Sequence, residues 1–397
     1  MSKQRYIVLK AKGDREKVLG GIRAGADAIK DVEIAVESAA LSSKEAADAR
    51  RDPTTLRAAP VMPVRLITPK ADEGAAGTLD ENGVTWGVTA VGAATTTLTG
   101  AGVTVAVLDT GIEAGHEAFV GKNIEQKDFT GEGDGDQNGH GTHCAGTVFG
   151  GPVGGLRIGV APGVQKALIG KVLDGQGSGS TEQILDGLLW AVRGGANVVS
   201  MSIGFDFPGL VRVLVDQQGL ALEPATSIAL SIFRENVRLF DTIADLVRAH
   251  SSMFANTILV AAAGNESERP QYEIATAPPA SADGFISVGA LEKRPGQALQ
   301  LAVASFSNAG PVVSAPGVAV TSARVGGGVR ALNGTSMATP HVAGVSALWF
   351  QKIKTTNPNA HIRQLDGRLI GSAVLDHFVA GEELANVGAG LVQAPQN

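Results

Sequence analysis

The sequence predicts an α/β protein in which a mainly parallel central sheet lies between helices, with a small α+β module in front of it. Three observations predict this. From Trp86 onward, short wholly apolar runs alternate with stretches of helical periodicity, the pattern of strands buried on both faces and joined by crossover helices. Residues 69–82, PKADEGAAGTLDEN, are polar and rich in Gly and Ala, which is the composition of an exposed linker. Ahead of that linker, strand-like runs and a helix-capping pattern follow one another closely within residues 5–69.

In the front module, Tyr6 to Leu9 and Val32 to Val36 read as strands. Ser42 with Glu45 three residues later makes a capping box that opens a short helix before Asp52-Pro53, and Val61 to Ile67 is expected to complete the sheet. The domains then run 1–69 (module), 70–85 (linker) and 86–397 (main domain). In the main domain the buried strands are expected at Val103 to Leu108, Ala167 to Leu173, Val198 to Met201, Ile258 to Ala263 and Phe285 to Val288. Ala225 to His250 carries Ile228, Ile232, Val237, Phe240, Ile243, Ala244 and Val247 near helical spacing and is expected as one long packing helix.

Bulk properties narrow the function. Of 397 residues, 44% are hydrophobic and 52 are glycine, which describes a globular chain rich in tight turns. The net charge of -6 comes from both signs scattered along the chain, with no basic stripe and no nucleic-acid-binding motif, so nucleic acid is not an expected partner. Cys144 is the only cysteine, which excludes an intramolecular disulfide. No apolar run approaches the roughly 18 to 20 residues of a membrane helix, and no membrane partner is expected. The apolar run Tyr6 to Leu9 is too short for a signal-peptide core, so cytoplasmic residence is the default expectation and secretion requires an export signal outside this sequence.

Four blocks carry residues of chemical use. Val105 to Gly111 ends an apolar strand on Asp109, where open α/β sheets place their ligand crevice. Asn138 to Gly146 sets His140 between two glycines, which allow close backbone approach. Leu259 to Asn265 ends a strand on an amide able to donate to a developing oxyanion. Asn333 to Gly344 puts Ser336 at the start of a helix of small residues, where its own N–H and the helix dipole favour negative charge. Two metal readings compete. Asp134 to Gly139 opens like a calcium loop, but Ala145 stands where a bidentate Glu is required. His140 and His143 lack the further ligands of a zinc site.

Together the blocks resemble the subtilisin family, whose chain order Asp, His, Ser is matched by Asp109, His140 and Ser336. The resemblance runs from about Trp86 to Leu391. It implies a three-layer subtilisin-like domain and a serine endopeptidase of broad specificity. Ser336 would be the nucleophile, His140 the general base, Asp109 its orienting carboxylate and Asn265 the oxyanion donor. Gly177, Ser178 and Gly179, with Ser202, Ile203 and Gly204, resemble the two segments that add a peptide substrate as a strand. Ala277 matches a glycine at the floor of the first specificity pocket and implies a narrower pocket. Residues 1–69 resemble the family's inhibitory prodomain, a partner that would be cut away between Pro69 and Val84. Proteins or peptides are the implied substrates, and no cofactor is required for catalysis.

Some positions depart from the family. Residues 205–254 hold an excess of some thirty residues over compact members, available to shape the cleft or a partner surface. GGPVGGLRI at 150–158 and Ala118 lack calcium ligands found in familiar members, so structural calcium is not expected at that site, while Asp134 and Asp136 are kept as candidates for another ion. Cys144 is expected near the site as a buried thiol rather than a nucleophile. A rival assignment uses Ser336, Asp366 and His377 in the order of the α/β-hydrolase fold, against which Ala338 occupies the place of a required glycine. A second rival is a module-locked binding protein without turnover.

Overall fold

The computed structural model describes residues 3–11, 34–70, 83–205, 207–249, 257–296, 299–358, 360 and 362–396. In the front module, β1 (Gln4–Ala11) pairs antiparallel with β2 (Ile34–Leu41), and the chain returns through α1 (Ser43–Arg51) to β3 (Thr55–Pro60) on the other edge of β1. The capping box forms as expected: Glu45 N–H donates to Ser42 Oγ and Ser42 N–H to Glu45 Oε2. Two strands differ from expectation. β2 runs on to Leu41 because it pairs with the whole of β1; residues 32 and 33 lie outside the described residues. The third strand is β3 rather than Val61 to Ile67. Pairing with β1 stops at Pro60, and β4 (Pro63–Leu66) leaves the module to pair with the main domain. Pro60 and Pro63 each lack the N–H that would continue the ladder.

The main domain opens with α2 (Trp86–Ala90), then β5 (Thr104–Asp109), β6 (Asn123–Asp128), α3 (His140–Phe149), β7 (Lys166–Lys171), β8 (Ser178–Ser180), α4 (Thr181–Arg193), β9 (Val198–Met201) and β10 (Ile203–Phe205). α5 (Phe207–Asp216) and α6 (Leu222–Ala249) form the insertion. β11 (Ile258–Ala262), β12 (Phe285–Lys293), β13 (Leu301–Val303), β14 (Val313–Pro316), β15 (Val320–Ala323), β16 (Val329–Leu332), α7 (Thr335–Thr356), α8 (Ile362–Gly371) and α9 (Leu384–Val387) follow. The central sheet runs β13-β12-β11-β9-β5-β7-β6, with β14 beside β12, and is parallel except for β13.

Strand alternation divides the interior into two cores. Val105 and Val107 of β5 face the core under α3 and α7, whereas Ala106 and Leu108 face the one under α4 and α6. Ile7, Leu9 and Leu56 of the front module join this second core. Full burial of such a side chain stabilises by about 1.5 to 3 kcal/mol, so the module is held chiefly by apolar contact. The insertion adds polar contacts. Asn236 Nδ2 of α6 donates to Pro60 O at 3.0 Å, Arg57 Nε donates to Thr242 Oγ1 at 3.0 Å, and Arg50 pairs with Glu235 at 2.5 Å. The predicted helix at 225–250 is therefore present, begins one turn early, and serves as a seat for the module.

From β5 the chain builds β6 and β7 to one side and β9, β11 and β12 to the other. The order reverses at β5, so a crevice opens at its carboxyl end, where Asp109 is the last strand residue.

Candidate active site

Asp109 is fully buried, and its Oδ1 accepts the Thr110 N–H at 2.8 Å and lies 2.8 Å from His140 Nδ1. His140 is the first residue of α3. Gly139 before it has φ 89°, a conformation that suits glycine, and the Arg330 guanidinium donates to its carbonyl at 2.8 Å. Asp136 organises this helix start. Its carboxylate accepts the N–H groups of Asn138, Gly139 and Thr142 and the hydroxyls of Thr110 and Thr142, all within 3.1 Å. Burial opposes the charge on Asp136, but these donors outweigh it and lower the pKa. With its lone pairs so occupied, Asp136 is a cap for the histidine loop rather than the ion ligand that the sequence suggested.

Burial also opposes a charged His140 ring, yet the Asp109 carboxylate overrides it and raises the pKa well above the ordinary value. Two neighbours behave differently. His143 is pushed down to about 3 by burial first and by the charges of His140 and Arg330 second, and its Nε2 lies 3.0 Å from Val320 O and 3.2 Å from Arg330 O. Its Nε2 is thus taken up by main-chain carbonyls of β15 and β16. Cys144, one turn after His140, has Sγ 3.7 Å from His140 Nδ1 and 3.4 Å from Ser336 O, and burial raises its pKa. Among the described residues, Asp109, His140 and Cys144 form the single group of such side chains close enough to share an ion.

Ser336 is the second residue of α7, fully buried beneath the segment that follows β4. Asn265 follows β11 and faces it. Its Oδ1 accepts both the N–H and the hydroxyl of Thr335 at 2.9 Å, so Nδ2 is directed into the crevice, where it donates to Thr68 O at 3.1 Å. Ser336 Oγ donates to Ile67 O at 3.1 Å, and His140 Nε2 is buried without a hydrogen-bond partner among the described residues. Ser202 Oγ bonds Ser336 O at 3.1 Å. Thr335 is a supporting residue that sequence reasoning missed, although it stands beside Ser336; Asp136 was singled out, but for another role.

Both substrate-like segments are occupied by the chain itself. β4 lies antiparallel between β8 and β10: Val64 faces Gly179, Arg65 faces Ser178 and Gly204, and Leu66 faces Ile203, while Leu66 N–H donates to Gly177 O at 2.7 Å. Farther along, Lys70 N–H donates to Asn333 O at 2.9 Å. A cavity of 380 Å³ borders this segment, lined by Ile67, Thr68, Phe205, Asn265 and Glu266 among others. Ala277 is fixed near the same strand end, with its N–H on Ala263 O at 2.9 Å. The rival pair is dispersed: Asp366 is ion-paired with Arg248, and the His377 carbonyl accepts from Leu301.

Fold and site together define a class: an α/β protein with a buried Asp–His pair at the switch point of a parallel sheet and, later in the chain, a helix-borne Ser whose carbonyl oxygen lies 3.4 Å from the thiol of the histidine helix. The family model described as the subtilase family matches residues 100–386, and the chain belongs to that family. It is similar to subtilisin-like protease 6 of Trichophyton schoenleinii, 36% identical over 283 residues, covering 68% of this chain and 60% of the relative. The protein of the same description from Trichophyton verrucosum (strain HKI 0517) is 36% identical over 253 residues, covering 62% and 52%. The chain thus spans less than two thirds of the length of these relatives. Among the described residues no helix is long and apolar enough to cross a membrane.

Proposed function

We propose that the protein is a serine endopeptidase made as a zymogen, with residues 1–69 as its inhibitory module. The observation that carries this reading is the path of residues 63–70: residues 63–66 pair with β8 and β10 as an extended peptide, and the Ile67 and Thr68 carbonyls that follow accept from Ser336 and Asn265. In turnover, Ser336 Oγ attacks the scissile carbonyl carbon and its proton passes to His140 Nε2. The oxyanion receives hydrogen bonds from Asn265 Nδ2 and the Ser336 N–H. Collapse expels the amine, which takes the proton from His140 and leaves an acyl-enzyme that water hydrolyses by the same steps. Asp109 fixes the imidazole tautomer and stabilises its cation.

Recognition through main-chain pairing supports broad specificity, with the cavity beside Phe205 and Glu266 and the neighbouring Ala277 setting the preference. Self-processing is proposed within residues 67–70, which begin upstream of the expected Pro69 to Val84 window, because the Ile67 and Thr68 carbonyls bond Ser336 and Asn265; residues 71–82 lie outside the described residues. The Ser336 bond to Ile67 O also suits a second reading, a chain locked by its own module. The two separate on labelling with a serine-directed phosphonate. A peptidase with a competent triad is labelled at Ser336 and loses labelling on His140→Ala; a chain labelled in neither form contradicts the proposal.

A further inference from the structure

Lys171 is the largest charged side chain in the interior, only 2% exposed, and the triad does not use it. An ammonium group is taken out of water only with compensation close at hand. Lys171 finds it in one place: Nζ bonds Gln137 Oε1 and pairs with Glu132 Oε2 at 3.0 Å. Both partners belong to the loop between β6 and His140.

That loop holds the next loop in turn. The Glu132 oxygen that pairs with Lys171 also accepts the Gly175 N–H at 2.9 Å, and Asn138 Nδ2 donates to the Gly175 carbonyl at 3.1 Å. Both main-chain groups of Gly175 are thereby fixed from the histidine loop. A Cβ on Gly175 would stand 3.3 Å from the Gln137 Cβ, so the loops approach closely there. The turn around Gly175 is stiff by itself, since Asp174 Oδ1 accepts the N–H groups of Gln176 and Ser178, and Gly177 N–H donates to Asp174 O. What fixes Gly175 therefore positions the whole segment that ends in Gly177 O and β8, the edge on which β4 is paired. The same loop contains Asp136, which holds the first turn of the His140 helix.

We infer that Lys171, with Glu132 and Gln137, is a positioning group that sets the substrate-pairing edge at Gly177–Ser180 relative to the helix of His140. It touches no reacting atom. Its effect falls on peptides long enough to pair with that edge, which are residues on the amino side of the scissile bond. This rests on the peptidase reading for its kinetic consequence, but not for its structural one.

The test begins on the full-length Ser336→Ala chain, where no turnover is needed. Glu132 is partly exposed, so Glu132→Ala leaves a foldable chain, and Lys171→Met removes the cation without opening a large void. Amide exchange is expected to quicken at least tenfold at Leu66 and at the 174–178 turn in both variants, with strand β5 unchanged. Unchanged exchange at Leu66, or an equal rise in β5, overturns the inference. In the Ser336 background, Glu132→Ala is expected to lower kcat/KM about tenfold on a tetrapeptide substrate, mainly through KM, and to leave a single-residue ester within twofold. Equal losses on both substrates also overturn it. A wild type that hydrolyses neither substrate counts against the peptidase reading alone, because the exchange result still decides the positioning role.

Discussion

Two histidines in the signature blocks serve no catalytic step, and their burial makes the fold acid-sensitive in a calculable way. His143 is held neutral with a pKa of about 3, and His341 with one of about 4, in both cases mainly by desolvation. A folded pKa depressed below the unfolded value near 6.5 contributes stability that is complete above 6.5 and lost as pH falls toward the folded pKa. Near pH 5 each histidine is protonated in the unfolded chain and largely neutral in the folded one, so each adds about 1.4 kcal/mol of lost stability per pH unit. Together they remove about 4.5 kcal/mol between pH 6.5 and 4.5, close to the lower end of total domain stability. Asp186, Asp241 and Asp245 work in the opposite sense, since burial raises their pKa values and they take up protons more readily in the native state than in the unfolded one. The single-group contribution is isolated by comparing slopes. Urea unfolding of the Ser336→Ala chain at several pH values, with and without His143→Gln, should show a variant whose stability falls less steeply by about 1.4 kcal/mol per pH unit near pH 5. Equal slopes in the two chains would refute the reasoning.

Three further outcomes follow from the site. Asn265→Asp keeps an acceptor for Thr335 but loses the donor facing Thr68 O, so self-cleavage should slow by about 10² to 10³, the known cost of removing such a donor in subtilisin, while the thermal midpoint stays close to the parent. A drop of less than tenfold would assign the oxyanion to another donor. Because the base must be neutral and Asp109 raises the His140 pKa, kcat/KM for a peptide should climb with pH through a value above 6.5; a plateau already reached at pH 6 would contradict that electrostatic picture. Asn236→Ala deprives Pro60 O of its donor at the seat of the front module, which should weaken module retention by about 1 to 3 kcal/mol, read as faster release of the cleaved fragment with unchanged ester turnover.

The blocks of the candidate site were legible because each binds an unusual side chain to a local constraint that spacing displays: Asp109 at the end of an apolar run, His140 between glycines, Ser336 before a string of small residues. The central strands were legible for the same reason that parallel sheets are, as continuous apolar runs. The destination of Val61 to Ile67 was not. Local propensity makes this segment a strand, but whether it pairs with β1 or with the crevice edges depends on partners more than a hundred residues away. β3 itself escaped notice because Thr55 to Pro60 is alanine-rich and interrupted by Arg57, with neither alternation nor bulk to mark it. Lys171 was visible only as part of the strand expected at Ala167 to Leu173; lysine is almost always exposed, and its burial follows from Glu132 and Gln137 on a loop whose path no periodicity records. Asp136 read as a cation ligand because carboxylates among glycines suit both a metal loop and a helix cap, and the choice depends on which donors fold back onto it.

The most direct measurement is intact mass of the purified full-length chain and its Ser336→Ala variant, incubated side by side. The account predicts an N-terminal fragment ending within residues 67–69 from the Ser336 chain alone, with the variant intact. Fragments of the same mass from both chains, or none from either, would contradict the claim that Ser336 is the nucleophile of a self-processing peptidase.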